Sequence, residues 1–327
     1  MKADDSPAGG RSPARHPPQP DRRRQSLPTA KPKPAADDPA APEALRRILA
    51  SASYREADED LDFLQEKETR GLRLQLEYLK AETLLRENNI AHTVAVFGST
   101  RIDEPRAAQR RLDDCVRRLG EDPHNSTLRQ QHAVALRLLE KSRYYDMARA
   151  FGRIVGRVAD CSYGGRTMIM TGGGPGIMEA ANRGAHDVGA PSIGLNISLP
   201  HEQYPNPYVT PELCLKFRYF ALRKLHFMMR ARALVVFPGG FGTIDELFEI
   251  LELSQTRKMP PVPVVLVGEP FWRRAFDPEF LVEEGMIDAE DRELFWFSES
   301  AEAIWRDILR WYELKGEPFC PSDVGVP

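Results

Sequence analysis

Ala233-Leu234-Val235-Val236-Phe237-Pro238-Gly239-Gly240-Phe241-Gly242-Thr243-Ile244-Asp245-Glu246 passes from an unbroken apolar run through a glycine-rich turn into a segment of helical periodicity. Five apolar residues have the length of a buried strand, and Leu247, Phe248, Ile250 and Leu251 extend the following segment as an apolar helical stripe. The turn therefore joins a strand to a helix. Gly239, Gly240 and Gly242 leave backbone N–H groups unobstructed, and the free donors and positive dipole end of a new helix favour an anion of phosphate size. Thr243 and Glu246 also have the spacing of a capping box, which places Thr243 at the N-cap and Glu246 at N3. A structural cap and a ligand site can coexist there.

The same strand–glycine–helix order recurs upstream. Thr93–Phe97 reads as a first strand ending in the ligand-facing turn Gly98-Ser99-Thr100. Thr167–Met170 reads as another, ending in Thr171-Gly172-Gly173-Gly174-Pro175-Gly176 ahead of a helix that carries Ile177, Met178, Ala180 and Ala181. Gly172, Gly173 and Gly174 would let backbone approach a ligand closely, or simply make a tight turn. Ser192–Ile197 and Val262–Val267 supply further strands, and the intervening helices make this a parallel α/β sheet. In such sheets ligands bind beyond the carboxyl ends of the strands, so the three loops are expected to meet. A dinucleotide fingerprint is incomplete, because Ile177 stands where the third glycine belongs, and no GxxxxGK[ST] loop is present around these glycines. A monophosphate is the more economical ligand.

Composition narrows the class. The 327 residues carry 45 Lys and Arg against 48 Asp and Glu, a net charge of -3, so no global basic field invites nucleic acid. Cys115, Cys161, Cys214 and Cys320 are scattered without a CxxC, as expected of reduced thiols in a cytoplasmic protein, and the seven histidines form no HExxH-like cluster. Neither a metal nor a redox cofactor is indicated. An apolar signal core and an 18-residue apolar run are both missing, which argues against a membrane partner. Residues 1–42 read as a disordered Pro/Arg-rich tail, 43–90 as a helical extension bearing Leu45, Ile48, Leu61, Leu72 and Leu84, 91–315 as the Rossmann-like domain that carries the glycine loops and 316–327 as a C-terminal tail.

The Gly172–Met178 segment, then Arg223-Lys224, then Pro238–Glu246, together with Gly98-Ser99 and Glu284-Gly285, resemble the LOG family over roughly residues 92–312. Many of its members were once labelled lysine decarboxylases. The resemblance implies a modified Rossmann fold with helices on both faces, a homodimer or higher homo-oligomer, and hydrolysis of a nucleoside 5′-monophosphate to free base and ribose 5-phosphate. It places Arg223 and Glu246 as catalytic residues, Lys224 as a substrate-binding neighbour, Gly239 to Thr243 as the phosphate loop, and Glu202 as a substrate-binding glutamate. This chain departs from short members in its first 90 residues and in about 35 extra residues near 105–140.

N-glycosidic cleavage builds positive charge on ribose, so a carboxylate near C1′ and a positioned water are needed, and Glu246 fits both tasks. Asp245 is the fallback, one residue further round the helix. The Arg223 fork suits phosphate or ribose hydroxyls. AMP is the favoured substrate and a cytokinin nucleotide an alternative. A non-catalytic nucleotide-binding or carrier module is the competing reading. A pyridoxal-dependent decarboxylase lacks a recognisable Schiff-base lysine setting. Phe217, Phe220, Leu225, Phe227 and Met228 are candidates for an oligomer face, with core packing the simpler account, and Trp296, Trp305 and Trp311 are expected in a C-terminal helical part.

Overall fold

Eight consecutive residues, Ile90–Phe97, form strand β1, and seven of them are buried because both faces of the sheet are covered. That double burial explains why these strands read as continuous apolar runs rather than alternating ones. The computed structural model describes residues 31–158, 166–200 and 204–319. Glu202, Cys161 and Cys320 therefore lie outside the described residues, as does most of the tail read over 1–42.

The chain divides into two units, Met1–Lys67 and Glu68–Pro327. The described part of the first contains α1 (Ala41–Leu49) and α2 (Leu61–Gln65), neither with a buried residue. The second begins with α3 (Arg70–Glu87) and β1, followed by α4 (Pro105–Glu121), α5 (Ser126–Lys141), α6 (Arg143–Arg157), β2 (Arg166–Thr171), α7 (Ile177–Asp187), β3 (Ser192–Ile197) and β4 (Cys214–Phe217). It continues with α8 (Phe220–Met229), β5 (Ala231–Val236), α9 (Phe241–Gln255), β6 (Val264–Val267), α10 (Glu269–Ala275), α11 (Pro278–Glu283), β7 (Trp296–Ser298) and α12 (Ala301–Lys315). The stretch 43–90 is thus split: α1 and α2 belong to the first unit, whereas Ala81 and Leu85 of α3 pack into the core of the second.

The seven strands run parallel in the order β4-β3-β2-β1-β5-β6-β7. Successive strand residues face opposite sides. Val94, Val96, Ala233, Val235, Val265 and Val267 therefore join one core with α6, α7 and α12. Ala95, Phe97, Leu234, Val236, Val264 and Leu266 join the other with α3, α8, α9 and α10. This is an α/β, Rossmann-like fold. The chain leaves β1 toward α6 on one face and leaves β5 into α9 on the other, which opens a crevice at the carboxyl ends of the central pair. Two short strands escape the sequence reading. β4 has four residues and β7 three, too few to display a period, and Trp296 accordingly lies in an edge strand rather than a helix. Phe217 and Phe227 are core residues, while Phe220 and Leu225 are exposed.

Candidate active site

Backbone hydrogen bonds tie the three glycine loops into one floor. The Phe237 amide donates to the Phe97 carbonyl at 2.9 Å, Ser99 N–H to Pro238 at 3.0 Å and Ile177 N–H to Ser99 at 3.1 Å. Above that floor lies a cavity of about 610 Å³, lined by Gly98, Ser99, Gly172, Arg223, Gly239, Gly240, Gly242, Thr243 and Glu246, among others. Its volume suits a mononucleotide.

Helix α9 opens at Phe241 with Gly240 as N-cap, three residues earlier than the capping-box reading requires. Thr243 is consequently inside the first turn, with its side chain folded back on Gly239, where an added Cβ would lie 2.1 Å from its Oγ1. Glycine at 239 permits this contact and so lets the helix begin early. The amides of Phe241 and Gly242 precede the first intrahelical donors, Thr243 and Ile244, which both reach Gly240 at 3.0 Å. They are the donors that an anion at this terminus would meet. Glu246 sits on the second turn, 5% exposed, and its Oε2 has no hydrogen-bond partner among the described residues. Burial pushes its carboxyl up to about 7, against the opposing pull of Arg223 and Lys224, with Glu249 and Asp245 adding a smaller upward push.

Arg223 projects from α8. Its Nε donates to the Leu195 carbonyl at the end of β3 at 2.8 Å, and its guanidinium carbon lies 5.5 Å from the centroid of the Phe227 ring. Burial lowers its pKa while Glu246 opposes the shift, so the two side chains sense each other electrostatically. Gly172 makes room for the fork: a Cβ there would lie 2.4 Å from Arg223 Nη2 and 2.8 Å from Met178 Sδ. Gly172→Ala is accordingly expected to displace the guanidinium, lowering kcat/KM by about 10- to 100-fold at a stability cost of about 1–3 kcal/mol. Steady-state kinetics alongside thermal melting test this, and unchanged kinetics would show that the fork has other room.

Some of the expected site residues lie away from the cavity wall. Lys224, one position beyond Arg223, turns to the flank of α9 and pairs with Asp245 at 2.9 Å and Glu249 at 3.2 Å. Burial lowers its pKa, but those carboxylates more than reverse the effect. Asp245 is thereby engaged by Lys224. Gly173 and Gly174 build the turn itself: their carbonyls accept from Asn206 N–H at 2.8 Å and Asn206 Nδ2 at 3.0 Å. Asn206 Nδ2 also donates to Asn182 Oδ1, which accepts from the Thr171 hydroxyl at 2.7 Å, bracing the loop from below.

Sequence reasoning missed Asn196, Arg101 and Lys141 and put Phe220 on a candidate oligomer face, yet all four line the cavity, as does Phe241 of the phosphate loop. Asn196 carried a usable signal, a polar residue near the carboxyl end of an apolar strand. Arg101 and Lys141 come from the loop after β1 and the end of α5, which no spacing links to Glu246. Outside the cavity, α3 holds both ends of α8. Glu77 accepts from the amides of Arg218 and Tyr219 at 2.5 and 3.1 Å, and Glu82 pairs bidentately with Arg230 at 2.7 and 2.9 Å. Hydrogen bonding to Arg230 keeps the Glu82 carboxyl below its ordinary range despite burial.

A family model described as "Possible lysine decarboxylase" matches residues 178–308, a span that includes Arg223 and the whole Gly239–Glu246 loop. Two proteins of Arabidopsis thaliana named cytokinin riboside 5′-monophosphate phosphoribohydrolases are 29% and 28% identical over 174 residues, covering 52% of this chain and 76% of each relative. Over this span the chain is similar to the LOG family. Among solved structures, the molybdenum cofactor carrier protein of Chlamydomonas reinhardtii is similar at a TM-score of 0.32 with 22% identity, covering 50% of this chain and 86% of that one. That likeness carries no functional argument. Relative to short LOG family members, the extra stretch near 105–140 is the helix pair α4–α5, with Asn125 capping α5 through the amides of Thr127 and Leu128 at 3.1 Å each.

Proposed function

We propose that the protein hydrolyses the N-glycosidic bond of a nucleoside 5′-monophosphate, releasing free base and ribose 5-phosphate. The observation that carries this reading is the buried, unpartnered Glu246 oxygen in the same cavity as Arg223 and the open amides of α9. In this reading those amides take the 5′-phosphate, Arg223 orients the phosphate and ribose, and ionised Glu246 faces C1′, where it stabilises the oxocarbenium-like centre and assists water. The relatives are named for cytokinin riboside 5′-monophosphates; AMP offers the same phosphate, ribose and glycosidic bond, so both belong in the assay. Nucleoside 5′-monophosphates should release base and ribose 5-phosphate in equal amounts, whereas the nucleosides without phosphate should be poor substrates. Saturable nucleotide binding with no released base would overturn the proposal.

Because Glu246 acts as the carboxylate here and its pKa is raised to about 7, kcat should rise with pH through neutrality and level off above it. Saturating substrate removes the ionisation of the free substrate phosphate, at about pH 6, from the curve. A kcat that falls through pH 7 would instead make Glu246 a proton donor.

A further inference from the structure

Helices α4 and α5 enclose a second cavity of about 760 Å³ whose lining includes four arginines, Arg101, Arg110, Arg111 and Arg118, against two aspartates, Asp103 and Asp114. Both carboxylates are engaged by arginines. Asp103 pairs with Arg111 at 2.7 Å, and Asp114 with Arg117, which does not line the groove. Among the described residues, the guanidinium groups of Arg101, Arg110 and Arg118 have no carboxylate partner. Arg110 and Arg118 stand two turns apart on one side of α4, so their like charges reinforce a single positive groove. Since the whole chain has a net charge of -3, this concentration is local rather than a general basicity.

We infer that the α4–α5 groove binds a phosphate-rich anion, distinct from the substrate of the Glu246 site. Guanidinium forks match phosphate oxygens bidentately, and three unpaired ones exceed what a single monophosphate can neutralise, which points to a polyphosphate. The lining also presents the apolar side chains of Ala108, Val134, Ala135 and Leu138, which favour an organic body attached to the phosphates. Arg101 and Leu138 line both this groove and the Glu246 cavity. An occupant would therefore share a cation and an apolar wall with the substrate site, the arrangement an effector needs to alter substrate affinity.

Cys115 lines the groove and gives a readout independent of turnover. On the full-length protein, alkylation of Cys115 by neutral iodoacetamide would be followed by peptide mass spectrometry with ATP, tripolyphosphate or neither. A ligand at about four times its Kd leaves about a fifth of the sites open, so ATP should slow alkylation by about fivefold, and Arg110→Ala/Arg118→Ala should abolish that protection. Both substituted side chains are solvent-exposed. Stronger protection by ATP than by tripolyphosphate supports an organic ligand, and equal protection supports the same site with an inorganic one. No protection by either anion, or undiminished protection in the double variant, would overturn the inference whether or not the protein hydrolyses nucleotides.

Discussion

Replacing Glu246 by glutamine is expected to lower kcat by about 10³-fold or more while making the folded protein more stable in neutral and alkaline solution. The first effect follows from removing the charge that faces the developing cation. The second follows from linkage. Burial raises the Glu246 carboxyl from its ordinary 4.5 to about 7, so between those values the folded chain holds a proton that the unfolded chain has released. Stability contributed by this group therefore falls as pH rises from 4.5 to about 7 and stays low above that. The displacement corresponds to about 3 kcal/mol at most. Glutamine has no such titration, but its amide also needs partners in the buried site, so a gain of about 1–3 kcal/mol is the expected range. Melting both proteins at pH 5 and pH 8 checks the sign. The gap should be wider at pH 8, together with a collapse of base release. A variant that stays active, or one that is less stable than the wild type at pH 8, would mean that Glu246 is neither the reacting carboxylate nor a strained one. The expected trade of stability for activity belongs to a site that keeps an unsatisfied charge for its substrate.

What the sequence reveals of this site depends on how each residue is encoded. Gly98, Gly172 and Gly239 each follow an apolar run closely, and in a parallel sheet every such run ends on the same side, so their convergence is legible from the order of residues alone. Glu246 stands out from its spacing behind the glycine turn, whereas Arg223 is singled out by the resemblance to the LOG family and by no spacing of its own. Thr243 is misread because Thr-x-x-Glu satisfies a capping box equally well, and the early start of α9 depends on the Gly239–Thr243 contact, which a one-dimensional pattern cannot show. Lys224 is misplaced for a related reason: adjacency to Arg223 in sequence puts it on another side of α8, within reach of Asp245 and Glu249. Arg101, Lys141 and Asn196 reach the cavity from three separate elements. Likewise, Glu77 and Glu82 read as ordinary surface charges on a leucine-bearing helix until the sheet brings α3 against α8.

That support under α8 sharpens the expectation for Arg223. Helix α8 is fixed at its start by Glu77 and at its end by Glu82, and Arg223 is fixed in turn by Leu195 and Gly172. Its fork is therefore held in place before substrate arrives. Lysine retains the charge but is a single point donor, leaving the Leu195 carbonyl without its partner and the phosphate without a bidentate grip. Arg223→Lys should lower kcat/KM by about 10²- to 10³-fold. Arg223→Met removes the charge as well, which adds a separate signature. Arg223 pulls the Glu246 carboxyl down, so its loss should let that carboxyl rise beyond about 7 and move the pH–kcat curve to higher pH. Arg223→Lys should leave the curve near its original position because a cation remains. Comparing pH profiles of the two variants separates the roles: a shared loss of kcat/KM reports the fork, and an alkaline displacement confined to the methionine variant reports the coupling to Glu246. Displacement in neither would show that Glu246 does not sense this guanidinium during turnover, and equal displacement in both would show that a lysine ammonium does not take over its charge.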